Sequence, residues 1–131
     1  MKPSRLRQIM NFWPPFLFSG IRVLEIGADW RSARVALRKR WYNGNYVGVH
    51  FGGSLFAMTD PFWMILAKER LGRDYYVWDK AAEIEFVKPG KGTLHAEFRL
   101  DEHVPVPYTN LTLPTILLES ICVGSVLIIK N

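Results

Sequence analysis

Residues 43–61 read Asn-Gly-Asn-Tyr-Val-Gly-Val-His-Phe-Gly-Gly-Ser-Leu-Phe-Ala-Met-Thr-Asp-Pro, a polar, glycine-rich loop that runs straight into an apolar helix. Gly52 and Gly53 let a ligand approach the main chain closely, and the first amides of the helix they open have no acceptor inside it. Donors of that kind suit an oxyanion. Asp60 adds a carboxylate further along. Each group also has a purely structural reading. Asp60-Pro61 is a helix start, Asp capping and Pro taking the first helical position. The glycines make a tight turn, Asn43 and Asn45 are turn residues that tolerate left-handed backbone, and His50 is a hydrogen-bonded loop residue rather than a general base. Proline also disfavours helical backbone at the residue before it, so a kink or restart of the helix is expected at Asp60.

The elements that must hold these groups follow from periodicity. Leu6, Ile9, Met10 and Trp13 are spaced as one face of an amphipathic helix, with Ser4 as its cap and Pro14-Pro15 as the turn that ends it. Ile21 and Val23, then Ala33, Val35 and Leu37, alternate with polar residues, which predicts two strands joined around 27–30 with Arg34 and Arg38 facing outward. The stretch 54–71 is apolar nearly all round and must be enclosed on several sides, with Gly72 closing it and Lys68 and Arg70 placed to suit its dipole. A strand over 75–87, a turn at Pro89-Gly90-Lys91-Gly92 and a partner strand through Leu94, Ala96, Phe98 and Leu100 complete the pattern. Asp79 and Lys80 are adjacent on that first strand and are read as surface polarity facing opposite ways. One long buried helix with long antiparallel strands points to an α+β domain, a sheet curled around a helix. The region 101–131 is atypical: Val104-Pro105-Val106-Pro107, then a β-branched run with strand expected over 115–129.

At 131 residues the chain is read as one domain, 1–131, and 49% hydrophobic content argues against disorder. The single Cys122 leaves no internal disulfide framework and fits a reducing, cytoplasmic compartment; no cluster has zinc-ligand spacing, so no metal is expected. The net charge of +5 draws on Arg31, Arg34, Arg38, Lys39 and Arg40, read as a solvated strand face, with a phosphate-bearing small ligand or anionic lipid left open. Nucleic-acid binding lacks a supporting motif. The run 111–129 is nearly long enough to span a bilayer, but Pro114 and Glu119 fall inside it, so no membrane span is expected.

Asn45, the triplet Phe51-Gly52-Gly53 and Asp60 resemble the hotdog-fold thioesterases, in particular their phenylacetate-pathway branch and the related DUF4442 domain family. There an Asn precedes a His-Gly-Gly triplet by six positions and an acidic residue follows the triplet's first residue by nine, and both spacings are present here. The flanking Asn11-Phe12-Trp13-Pro14-Pro15-Phe16 and Trp78-Asp79-Lys80-Ala81-Ala82 look most like DUF4442 text. The resemblance implies a hotdog fold, a homodimer or homotetramer whose sheets join edge to edge, and hydrolysis of an acyl-coenzyme A or other small thioester with no cofactor beyond the coenzyme A of the substrate. It implies Asp60 as nucleophile or general base, the Gly52 amide polarising the thioester, Asn45 orienting it, and Gly53, His50, Phe51 and Ser54 meeting the substrate. Phe51 departs from the pattern by replacing the triplet's His. Gly53 and Asp60 lie roughly 10 Å apart along one helix, so Gly52 of one chain is expected to work with Asp60 of another. The alternative is a protein of the same fold that binds acyl-coenzyme A or a fatty acyl chain without turnover.

Overall fold

The computed structural model describes residues 1–100, 110–117 and 120–130. Along the chain come α1 (Pro3–Phe12), α2 (Pro14–Ser19), β1 (Ile21–Ile26), β2 (Ser32–Arg38), α3 (Gly52–Thr59), α4 (Phe62–Leu71), β3 (Tyr75–Phe86), β4 (Thr93–Arg99), β5 (Asn110–Leu117) and β6 (Ser120–Lys130). The strands form one antiparallel sheet in the order β1-β2-β4-β5-β6-β3. The strand expected over 115–129 is found as two, β5 and β6, paired with each other. The Val104-Pro105-Val106-Pro107 stretch lies outside the described residues.

Alternation on the first three strands in sheet order makes the inner face. Ile21, Leu37 and Leu94 lie in register across β1, β2 and β4, as do Val23, Val35 and Ala96, and all six are buried. Arg34 and Arg38 face solvent, as the pattern requires. Phe62 and Trp63 of α4 close on the ring of Phe98 at centroid distances of 4.9 and 5.2 Å, and Phe16 of α2 meets Phe62 at 6.0 Å. α3 packs on β2 whereas α4 packs on β3, which is the far edge of the sheet. A helix that touches both must have the sheet curled round it. This is the hotdog arrangement.

The Asp60-Pro61 step does not restart the helix as a capped end. Both residues hold right-handed helical backbone, at φ −52°, ψ −55° and φ −83°, ψ −13°, and the Asp60 amide still donates to Phe56 O at 3.1 Å. α4 begins behind Pro61 with no side-chain cap, so the capping role for Asp60 is set aside. α3 and α4 therefore run end to end with only a turn between them. Two further expectations change near the N-terminus. Ser4 lies inside α1, because Pro3 takes the first helical position and Lys2 the cap. Pro14 and Pro15 open α2 rather than form a bare turn, since a proline's fixed φ and missing N–H suit a helix's first turn.

The two edges of the sheet differ. β1 is covered by α1: the Asn11 Nδ2 donates to Val23 O at 3.1 Å, the Val23 amide donates to Asn11 Oδ1 at 2.8 Å, and an Arg7 guanidinium N–H donates to Leu24 O at 3.2 Å. β3 pairs with β6 on one side and with no described strand on the other. No helix among the described residues is long and apolar enough to cross a membrane.

Phe62 is fully buried between two aromatic neighbours. Phe62→Ala should cost about 3–5 kcal/mol in denaturant unfolding, while the exposed Trp41→Ala should stay within about 0.5 kcal/mol of the parent.

Candidate active site

The loop between β2 and α3 is held by two asparagines with different tasks. Buried Asn43 ties the loop to the body: its Nδ2 donates to Ser19 O at 3.0 Å and to Arg38 O at 2.7 Å, and its Oδ1 accepts from the Arg40 amide at 2.7 Å. Asn45 folds the loop's tip. Its Oδ1 accepts from the amides of Val47 and Val49 at 3.1 and 3.0 Å, which fixes which end of its side-chain amide is oxygen. The Nδ2 of Asn45 has no protein partner among the described residues and remains available to donate.

His50 and Phe51 leave the chain in opposite directions. His50 is 2% exposed, and its Nε2 must be the donor to Gly92 O at 2.6 Å, since a carbonyl only accepts. Its amide also donates to Gly90 O at 3.1 Å. The imidazole thus clamps the β3–β4 turn to the loop, as the structural reading expects, and its Nδ1 is buried without a partner among the described residues. Phe51 is exposed and serves as the residue before α3.

At the start of α3 the Ser54 and Leu55 amides both donate to Phe51 O, at 3.0 and 3.3 Å. The Gly52 and Gly53 amides have no protein acceptor among the described residues, and no side chain caps the helix. Close approach explains both glycines. A Cβ on Gly52 would lie 3.0 Å from Phe86 Cζ, and one on Gly53 would run into the Phe51 ring.

An open cavity of about 470 Å³ brings these groups together. Asn45, His50 and Gly52 line it, with Val49 and Leu55 on one side and Phe86, Val87 and Pro89 on the other. The walls are mostly apolar, with Lys88 at the margin. Gly53, Phe51 and Ser54 are not among its lining residues, and Ser54 is buried. Asp60 is absent from the cavity as well. Helical backbone carries it about 10 Å along from Gly53, where it is exposed at the junction of α3 and α4.

Beside Asp60 stands a residue that strand alternation gave no reason to single out. The register of β3 against β6 slips between Asp79 and Ala81, a bulge that relaxes strict alternation and re-aims the side chains around it. Asp79 reaches solvent yet is partly shielded, and burial pushes its carboxyl above the ordinary carboxylate value, with the Asp60 carboxylate adding in the same direction. The Asp60 carboxylate, at the junction of α3 and α4, is thus near enough to Asp79 of β3 for its charge to be felt there. No spacing in the sequence shows that, because it depends on the packing of one element on another.

The sequence model of the Domain of unknown function DUF4442 matches residues 4–117. The chain belongs to the DUF4442 family. The DUF4442 match runs past Leu100, through part of the atypical region, and into β5. No curated protein matches the sequence. Among solved structures, a thioesterase from Haemophilus influenzae superposes with a TM-score of 0.78 at 12% identity, covering 99% of this chain and 92% of its own. A Pseudomonas aeruginosa protein of unknown function gives 0.79 at 19% identity over 98% and 97% of the two chains. A thioesterase family protein from Silicibacter pomeroyi gives 0.75 at 9% identity over 98% of each. At such identities the likeness establishes the fold alone.

A carboxyl held above its ordinary value in the folded state favours the protonated form, so its ionisation destabilises the fold as pH rises from that ordinary value through the raised one. Asp79→Asn should therefore raise the melting midpoint near neutral pH, with the gain fading in acid below the ordinary carboxylate range, where Asp79 is protonated folded and unfolded alike. Melting curves of both proteins across pH check it.

Proposed function

We propose that the protein hydrolyses an acyl-coenzyme A thioester at a site shared between two subunits. One observation carries the reading. Gly52, whose amide has no acceptor among the described residues, lines a largely apolar cavity, while the carboxylate that the resemblance pairs with it lies outside that cavity, exposed, near β3, whose outer edge pairs with no described strand. Pairing β3 with the same edge of a second copy on a two-fold axis satisfies that edge and sets α3–α4 of the two chains side by side. Such a joint lets Asp60 of the partner subunit serve the Gly52 amide. The thioesterase names borne by relatives of the same fold agree with this chemistry.

In the proposed step the Asp60 carboxylate takes a proton from water as the water oxygen bonds to the thioester carbonyl carbon. Charge gathers on the carbonyl oxygen and is met by the Gly52 amide, a contribution of about 10²–10³ in rate for one such donor. The carbon–sulfur bond then breaks, and the coenzyme A thiolate recovers the proton to leave a free thiol and a carboxylic acid. The Asn45 Nδ2 donates to the carbonyl or to the attacking water, its other end being held by the turn. The apolar walls take the start of the acyl chain.

A second reading, acyl binding without turnover, is favoured by Phe51. Where the enzymes carry the triplet's imidazole this chain exposes a phenyl ring, and its nearest imidazole, His50, is committed to Gly92.

Purified protein incubated with acyl-coenzyme A thioesters of graded chain length and a thiol reagent separates the two. Hydrolysis releases thiol with at least one of them; a rise in melting midpoint without thiol release assigns the binding reading. Asp60→Asn should lower release by at least about a hundredfold without lowering the melting midpoint, which relief of the repulsion on Asp79 would if anything raise near neutral pH. Asn45→Asp keeps the oxygen that holds the turn and loses the donor, so it should cost roughly tenfold or more in rate at nearly unchanged stability. Full activity in Asn45→Asp would confine Asn45 to the turn.

A further inference from the structure

We propose that the end of the sheet formed by α2, the start of β1 and the first residues after β2 docks on an anionic lipid surface. Arg22, Arg38 and Arg40 line a cleft of about 240 Å³ whose remaining lining is Leu17, Gly20, Ile21 and Tyr42. No acidic residue lines it, and none of these three guanidinium groups has an ion-pair partner among the described residues. The neighbouring outward arginines differ: Arg34 binds Glu25 at 2.9 Å, and Arg99 lies 3.7 Å from Glu97. Guanidinium groups without ion-pair partners around one cleft suit phosphate oxygens.

Large apolar side chains stand exposed around the same cleft. Phe18 is 73% exposed at the end of α2, and Trp41 is 94% exposed with its ring edge-on to Tyr42 at 5.4 Å. They belong to one rigid surface. Asn43 bonds both Ser19 and Arg38, and the Arg38 amide donates to Gly20 O at 3.0 Å. Gly20 takes φ +80°, and a Cβ there would meet Asn43 and the Arg38 carbonyl. The segment that carries Arg40, Trp41 and Tyr42 is thus stapled beside Leu17 and Phe18.

Exposed Trp, Tyr and Phe beside unpaired cations match the boundary between phosphate headgroups and acyl chains, where rings sit at headgroup depth and arginines meet phosphates. Leu17, which is exposed and has no stacking face, suits acyl chains better than nucleobases. A second copy is assigned elsewhere, since β1 and β3 are opposite edges of the sheet. The surface neither spans the bilayer nor depends on thioester chemistry.

The test floats purified protein with vesicles of phosphatidylcholine alone or mixed with phosphatidylglycerol, at low and high salt. Binding is expected only to the mixed vesicles and should weaken with salt. Replacing Arg22, Arg38 and Arg40 together by Ala should lower partitioning at least about tenfold, and replacing all three by Lys should keep most of it. Phe18→Ala with Trp41→Ala should lower it roughly fivefold or more at constant charge. The Lys set and the aromatic pair leave the proposal testable should the Ala set fail to fold. Absence of binding to mixed vesicles, equal binding to both vesicles, or an unchanged Ala set would overturn it. So would capture of coenzyme A or an oligonucleotide through these arginines without vesicle binding, or loss of self-association as the only effect of the variants.

Discussion

A helix that is apolar on every side has to be enclosed on every side, and this constraint organises the molecule. Phe62, Trp63, Leu66 and Ala67 of α4 are buried against the sheet, while Met64 and Ile65 are only partly covered. One sheet curled from β2 to β3 covers the first set. Covering the second calls for more apolar surface than the described residues supply, and α4 packs on β3, whose outer edge pairs with no described strand. The N-terminal helix shows what a closed edge looks like, with Asn11 reaching both backbone groups of Val23.

The candidate site follows from the same helix. Its first turn brings Gly52 to a cavity because the missing side chain lets Phe86 come close, and Asn43 and His50 hold the preceding loop in place. About 10 Å further on, the chain keeps its helical course through Asp60 and Pro61, which carries the carboxylate out of the cavity and next to Asp79. Donors and carboxylate of one chain therefore lie apart, which is the separation that the proposed two-subunit site would bridge.

Much of this was legible in the residues. Alternation in β2 and β4 named the inner-face residues correctly, and the unbroken apolar character of the central helix foretold its enclosure. Local rules failed where two of them competed. A residue before proline avoids helical backbone, and the helix does break into α3 and α4 at Asp60-Pro61 as expected, yet Asp60 itself keeps right-handed helical backbone. Pro14-Pro15 ends one helix but equally starts the next, and the chain does both. The nearness of Asp79 to Asp60 depends on a bulge in β3 and on how that strand packs on α4, neither of which leaves a mark in spacing. Asn45 illustrates a different limit. Its turn role was readable, whereas the side-chain amide left over for a ligand emerges only once both acceptor bonds of its oxygen are placed.

Subunit complementation tests the shared site most directly. Gly52→Pro removes the donor amide at a position where proline suits a helix start, and Asp60→Asn removes the carboxylate; Phe86→Leu in both proteins makes room for the added ring. Each variant alone should be inactive in thiol release. Mixed, unfolded and refolded together in equal amounts, they should recover about a quarter of the activity of the Phe86→Leu parent, since half the dimers are mixed and each of those holds one intact site. Recovery of nothing from a well-folded mixture whose parent is active would contradict the account, as would full activity in either variant by itself.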